Sequence, residues 1–232
     1  MDLPVWQALF EELADTNFVP ITVAFESRGV EAARPWIEAA KSTYPSLIDR
    51  SHLVADLYGM VNVPIATWID EEGRIVRPPE PAGTNDGFRA MDHETYAMPQ
   101  EARDSTAAVR RAYLDALRDW ARKGSESRFA LSGDEVRRRL AAPNEDHARA
   151  TTLVRLGEYL WNAGRPDDAR AVLTDAEQLW PESWAIKRQA WNLEHPLKAG
   201  GPEFWAAIDQ LGDRRYYDPP ADIPSAGPGN RG

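Results

Sequence analysis

Residues 53–76 read LVADLYGMVNVPIATWIDEEGRIV, and this stretch decides the fold. The beginning of this stretch, together with the two residues in front of it, predicts a short helix at 51–58. Ser51 is a possible N-terminal cap of this helix, and Gly59 stops it. IATWI at 65–69 is rich in β-branched and aromatic residues, which favours a strand. A turn pattern, DEEG, follows, and RIVR at 74–77 predicts another strand. The two strands should therefore form an antiparallel hairpin.

The sequence in front of this stretch alternates between helical and strand patterns. Apolar residues recur at helical spacing near the start of the chain, at Leu3, Trp6, Phe10 and Leu13. VPITVAF at 19–25 predicts a strand buried on both faces, as in a parallel sheet. A helix at 31–42 and a short strand at 45–48 complete the series. Helices that alternate with strands indicate an α/β sheet.

The sequence after the hairpin predicts a long loop and then only helices. The loop spans 78–104 and precedes a helix at 106–122. Further helices are predicted after a linker at 124–127, and they lie at 134–141, 146–163, 166–180, 182–193 and 202–211. The predicted organisation has three parts: an α/β domain at 1–123, a helical domain at 128–212 and a flexible tail at 213–232.

The composition excludes several classes of protein. The chain has 232 residues and no cysteine, which excludes disulfides, thiolate metal sites and a cysteine nucleophile. Its net charge of −10 disfavours a nucleic-acid partner, because an acidic surface repels phosphates. No apolar run is long enough to span a bilayer, and the acidic start lacks the pattern of a secretory signal. We expect a cytoplasmic protein without membrane contact, cofactor or metal.

The first third of the chain resembles the thioredoxin-like proteins of the TlpA/ResA type. Four motifs carry the resemblance, in the family's order: Tyr58-Gly59, Val63-Pro64, Trp68-Ile69-Asp70 and Gly73-Arg74-Ile75. The resemblance implies a thioredoxin-like α/β fold and a cis peptide bond between Val63 and Pro64. It also implies that the residue before this proline offers backbone groups to an extended substrate.

The sequence departs from this family at its front. In the family, a strand and a W-C-x-x-C motif precede the first helix, whereas Leu3-Pro4-Val5-Trp6 resembles the stretch just after that motif. The missing strand normally lies inside the sheet, so its neighbours should have open hydrogen-bonding edges. Either another segment fills the gap, or the natural protein begins upstream of Met1. In the second case a cysteine or selenocysteine motif could lie there.

Residues 150–181 resemble a single tetratricopeptide repeat. The matching positions are Leu153, Leu156, Gly157, Leu160, Gly164, Ala169, Leu173, Ala176 and Pro181. The resemblance implies two antiparallel helices that bury Leu153, Leu156, Leu160 and Leu173 between them. Small residues at Gly157, Ala169 and Ala176 would let these helices approach closely.

The candidate site follows from the thioredoxin-like resemblance. Val63, Pro64, Trp6 and Trp68 are candidates for binding a peptide, although Pro64 could be purely architectural and tryptophans are commonly core residues. Trp36 could line the same pocket. Asp92, His93 and Glu94 could bind a cation, but a solvated loop is the simpler interpretation. The four histidines, including His195, form no zinc-binding pair.

The sequence assigns no catalytic residue, cofactor or metal. It favours a redoxin-like protein that has no cysteine and that binds a protein or peptide partner. The alternative is a thiol–disulfide oxidoreductase, of the TlpA/ResA or AhpC/TSA-like type, whose reactive residue lies upstream of Met1. Enzyme activity would require that upstream motif.

Overall fold

The computed structural model describes residues 3–140, 144–194 and 201–224, which combine helices with two small sheets. The first half contains α1 (Leu3–Glu12), β1 (Thr22–Phe25), α2 (Val30–Ala40), β2 (Ser46–Asp49), α3 (Leu53–Tyr58), β3 (Ile65–Ile69), β4 (Ile75–Pro81), a 3-10 helix (Asp86–Ala90) and α4 (Gln100–Lys123). The second half contains α5 (Gly133–Arg139), α6 (Glu145–Asn162), α7 (Pro166–Leu179), α8 (Trp184–Glu194) and α9 (Pro202–Asp209). In these described residues no helix is long and apolar enough to cross a membrane.

The strands form two separate pairs instead of one continuous sheet. β1 pairs with β2 in parallel, and β3 pairs with β4 antiparallel. Within the described ranges, no strand bridges β1 and β3. The expectation that residues 19–25 form a strand buried on both faces is wrong, because β1 is shorter and only half-buried. Among the described residues, no strand pairs with the edge of β1 that faces away from β2.

The second strand of the hairpin is longer than its sequence predicts. β4 runs on through Pro78 and Pro79 to Pro81, although a proline cannot donate a ladder hydrogen bond. Prolines are tolerated at the edge of a sheet, and β4 is such an edge strand. The irregular part of the predicted loop at 78–104 is therefore shorter than expected. β4 takes its first residues, α4 takes its last ones, and a 3-10 helix lies between them.

Helix α3 begins and ends with local hydrogen bonds. Its N-terminal amide at Val54 donates to Asp49 Oδ2 (2.6 Å), so Asp49 takes the capping role that the sequence assigned to Ser51. Gly59 ends the helix in the left-handed region (φ 63°), as predicted, where glycine is favoured. The Val63–Pro64 peptide bond, which leads into β3, is cis as predicted.

The first hydrophobic core joins α1, α4 and β3. Leu9 and Leu13 from the N-terminal part pack with Trp68, Tyr113 and Leu117. Buried tryptophan needs a partner for its indole N–H, and here Trp68 Nε1 donates to Tyr113 Oη (2.8 Å). This core fixes the position of β3 relative to α1 and α4.

The helices α6 and α7 form the predicted antiparallel hairpin. Ala169 and Ala176 are fully buried, and a Cβ on Gly157 would lie only 2.7 Å from Leu173 Cγ. The small residues therefore allow the close approach that the sequence predicts. Leu156 is an exception to the predicted burial, because 43% of it is exposed.

The helical part packs against the α/β part. Ala185 N–H donates to Val61 O (2.9 Å), and Asn62 Nδ2 donates to Tyr216 O (3.3 Å). The predicted linker is also packed, since Ser127 is buried and its hydroxyl donates to Asp119 Oδ2 (2.7 Å). Hydrogen bonds therefore join the α/β part to the helical part and to the segment that follows it.

Residues 213–224, the described part of the predicted flexible tail, contact the rest of the chain. Tyr216 and Ile223 are buried, and Asp222 forms an ion pair with Arg77. These apolar and charged contacts hold the segment against the body. Residues 225–232 lie outside the described residues, as do His195 and Ala141, the last residue of the helix predicted at 134–141.

Candidate functional site

A cavity of about 1300 Å³ lies between β1 and β3. It exceeds the roughly 300–1,000 Å³ of common small-molecule pockets. All four predicted site residues line it: Trp6, Val63, Pro64 and Trp68. The fold thus brings together the start of the chain and the segment around the cis-proline.

One wall of the cavity is the free edge of β1. Thr22 N–H donates to Pro45 O (3.0 Å), and Glu26 N–H donates to Asp49 O (3.3 Å), so these residues face β2. In a strand the main-chain groups of alternate residues point to opposite edges. Val23 and Phe25 therefore turn their amide and carbonyl groups to the cavity.

The opposite wall is the free edge of β3. Pro64 O accepts a hydrogen bond from Ala82 N–H (3.1 Å), and Asp70 N–H donates to Arg74 O (2.9 Å) on the side of β4. By the same alternation, Ile65, Thr67 and Ile69 direct their main-chain groups to the cavity. The predicted open edges are thus present on both sides of one cavity.

The side chains of this region are also incompletely covered. Four aliphatic residues of the lining are at least 40% exposed: Val19, Ile21, Val63 and Ile69. The hydroxyl of Thr67 is buried and has no hydrogen-bond partner among the described residues. Exposed apolar groups that cluster at one site are typical of an interaction surface.

The backbone of Val63 is not free to play the role that the resemblance implies. Its N–H donates to Asn62 Oδ1 (2.8 Å), and its carbonyl accepts a hydrogen bond from Tyr217 Oη (2.6 Å). The backbone groups expected to meet a substrate are therefore already engaged. Its side chain is 40% exposed and contributes an apolar surface instead. Pro64 beside it is half-buried.

The tryptophans serve mainly as walls. Trp68 is only 3% exposed, and its ring stacks on Trp120 with 5.1 Å between the ring centroids. Trp6 is half-buried and packs against the same core. Trp36 is 60% exposed and does not line the cavity, so the structure does not place it in the site.

The charged lining is predominantly acidic. Among the described residues of the lining, Asp15, Asp70 and Glu71 are acidic and Arg122 is the one cation. Desolvation alone would raise the pKa of Asp70, but hydrogen bonds from Arg74 outweigh it and lower the pKa. Asp15 and Glu71 are exposed, and neither forms an ion pair with another described residue. A cationic group would therefore be attracted to this part of the lining.

The Asp92–Glu94 loop shows a structural role for its polar residues. The Asp92 carboxylate accepts hydrogen bonds from the amides of Glu94 (3.1 Å) and Thr95 (2.7 Å), and the His93 ring stacks on Trp205 at 4.0 Å. In the described part of the chain no three His, Cys, Asp or Glu residues are grouped as metal ligands.

Sequence reasoning missed part of the lining. It did not single out Val19, Ile21, Asp15 or Arg122, because their spatial proximity depends on how the segments before β1 and after β3 pack. The VPITVAF run carried a signal, since an apolar strand whose neighbour is missing must expose one edge. Comparison with protein-family models, with curated proteins and with solved structures finds no match to this chain.

Proposed function

We propose that this chain is a thioredoxin-like protein without redox cysteines and that its cavity binds a protein or peptide segment. The observation that carries the proposal is the meeting of Trp6, Val63, Pro64 and Trp68 in the lining of one cavity. Apolar walls and open strand edges suit a polypeptide, whose backbone offers both donors and acceptors. The given sequence contains no cysteine, so these 232 residues supply no thiolate to the site.

The order and pairing of the strands support the thioredoxin-like part of the proposal. β1 and β2 are parallel and are connected through α2, as a βαβ unit requires. β3 and β4 then form the antiparallel hairpin that follows the cis-proline in the family. The gap between the pairs lies where the resemblance leaves out one strand.

Paired substitutions of exposed side chains test this proposal. Val19→Asn/Ile21→Asn makes two exposed aliphatic residues of the lining polar, whereas Leu47→Asn/Leu57→Asn changes two exposed aliphatic residues outside it. We expect the first pair to weaken the binding of apolar peptides from a fluorescent panel by about tenfold or more. The reason is that burying one such side chain contributes about 1.5 kcal/mol.

The control pair should bind the panel as tightly as the unaltered chain. Equal weakening by the two pairs would contradict the proposed site. A chain that binds no member of the panel would contradict the proposed function as a whole.

A second candidate is a thiol–disulfide oxidoreductase whose cysteine or selenocysteine motif lies upstream of Met1. The observation that favours it is the position of Leu3, the first residue of α1, in the lining of the cavity. A segment joined to the front of α1 would therefore reach the gap between β1 and β3. The codons upstream of Met1 decide this point, since an in-frame strand and redox motif would favour the oxidoreductase.

A further inference from the structure

We propose that the cavity accepts an extended apolar segment of another protein as a strand inserted between β1 and β3, with a lysine or arginine at the end of that segment. This inference rests on the proposed function, because it specifies how a bound segment lies and which chemistry recognises it. Three features of the cavity support it: its two strand edges, its apolar walls and its acidic lining.

The two edges determine the conformation of the bound segment. Val23 and Phe25 of β1 face the cavity from one side, and Ile65, Thr67 and Ile69 of β3 face it from the other. A segment that pairs with only one edge would leave the main-chain groups of the other edge without partners. An extended strand between them satisfies both edges, because its own donors and acceptors alternate between its two sides.

The walls determine the side chains of the bound segment. Three helices direct apolar residues into the cavity: Leu3 and Trp6 of α1, Val54 and Tyr58 of α3, and Leu117 and Trp120 of α4. A strand enclosed between two others is covered on both faces, and such strands are continuously apolar. The segment should therefore be rich in valine, isoleucine and phenylalanine along its whole length and not only at alternate positions.

The charges determine what flanks the segment. Asp15 and Glu71 are exposed carboxylates of the lining, and Asp70 forms an ion pair with Arg74 (2.8 Å). Arg122 is the opposing cation in the lining, and Glu12 lies 3.7 Å from it. A lysine or arginine at the end of the segment would meet carboxylates there, whereas an aspartate or glutamate would be repelled.

Backbone methylation of a probe peptide tests the inserted strand. The probe is acetyl-KTVIVFTK-amide, whose apolar core is VIVF. It is compared with one form that is N-methylated at the two valines and with another that is N-methylated at the isoleucine and the phenylalanine. Each methyl group removes a donor and blocks one side of the strand. We expect both methylated forms to bind at least about tenfold more weakly, since an inserted strand uses the donors on both of its sides.

The outcomes separate this inference from the proposed function. If the probe binds and only one methylated form is weakened, the segment adds to a single edge, and the inserted strand is wrong. If the probe binds and neither form is weakened, binding depends on side chains alone, so the proposed function stands and this inference fails. If neither the probe nor any member of the apolar panel binds, both fail.

The removal of two negative charges from the lining tests the predicted basic end of the bound segment independently. Asp15→Asn/Glu71→Gln should weaken the lysine-ended probe about three- to tenfold at low ionic strength and less at high salt. The control Glu145→Gln/Asp175→Asn removes the same charge outside the lining and should leave the affinity unchanged. Equal effects of the two pairs, or equal binding of a glutamate-ended probe, would contradict the basic flank.

A chain that dimerises through the cavity in sedimentation experiments would show that a second copy is the occupant and would overturn the proposal.

Discussion

Arg77 is a charged residue with no exposed surface. Its guanidinium donates paired hydrogen bonds to Glu80 (2.7 and 2.9 Å) and to Asp222 (3.0 Å each), and it also donates to Phe129 O (3.0 Å). Burial raises the pKa of Glu80 despite this pairing. Burial would also raise the pKa of Asp222, but hydrogen bonds from Arg77 and Arg139 outweigh it and lower the pKa to about 2.

Removing Arg77 should destabilise the protein strongly. In Arg77→Met the carboxylates of Glu80 and Asp222 lose their shared cation, and breaking a buried ion pair costs about 3–5 kcal/mol. Arg139 also contacts Asp222 (3.1 Å), but it is partly exposed, so Arg139→Met should cost about 1 kcal/mol or less. Free energies of unfolding from urea titrations measure the loss of stability in each of the two variants. Similar losses in the two variants would contradict a special role for the buried arginine.

Gly157 determines how closely the helices α6 and α7 pack. It faces Leu173 on α7, and Ala169 and Ala176 on that helix are fully buried. The space between the helices is therefore too small for a side chain at position 157. Helix propensity alone would favour almost any other residue there, since glycine costs about 1 kcal/mol relative to alanine in a helix.

A side chain at position 157 should separate these helices. We expect Gly157→Val to lower the free energy of unfolding by about 1–3 kcal/mol, because extra atoms in a packed interface force side chains and backbone apart. Arg149→Val introduces the same side chain at an exposed position of α6 and should change the stability by less than about 1 kcal/mol. Thermal unfolding followed by circular dichroism compares the two. A Gly157→Val variant as stable as the control would contradict the close packing.

The local sequence predicted some elements better than others. β3 lies at 65–69 as predicted, because its β-branched residues and the following turn act locally. The cis-proline and the Gly59 helix end were predicted from short motifs too. β4 was predicted too short, because prolines usually end strands and the tolerance of an edge strand depends on its neighbours. The division of the strands into two pairs had no local signal beyond the missing strand, since strand pairing depends on segments distant in sequence.

At the scale of the whole molecule, the 213–224 segment packs against the α/β part. Tyr217 Oη donates to Val63 O, and the Asp86 carboxylate accepts hydrogen bonds from the amides of Tyr216 and Tyr217. These contacts join residues more than a hundred positions apart, and no local pattern predicts them. They hold the 213–224 segment next to the candidate site, and no strand of the described part of the chain fills the cavity between β1 and β3.

The candidate site was therefore only partly predictable. The resemblance placed Val63, Pro64, Trp6 and Trp68 together, and it predicted that strand edges would be open. It did not predict that Tyr217 would engage the Val63 carbonyl or that Asp15 and Glu71 would contribute charge. Those contributions depend on tertiary packing, which brings loops from different parts of the chain to one place.

The central claim is that β1 and β3 have open edges that face one cavity. Amide hydrogen exchange of the dilute, peptide-free protein, followed residue by residue by NMR, tests it most directly. We predict that the amides of Val23, Phe25 and Thr67 exchange about tenfold or more faster than that of Ala24, which faces β2. Protection of Val23 and Phe25 as strong as that of Ala24 would show that a segment already occupies the gap, and it would contradict the account.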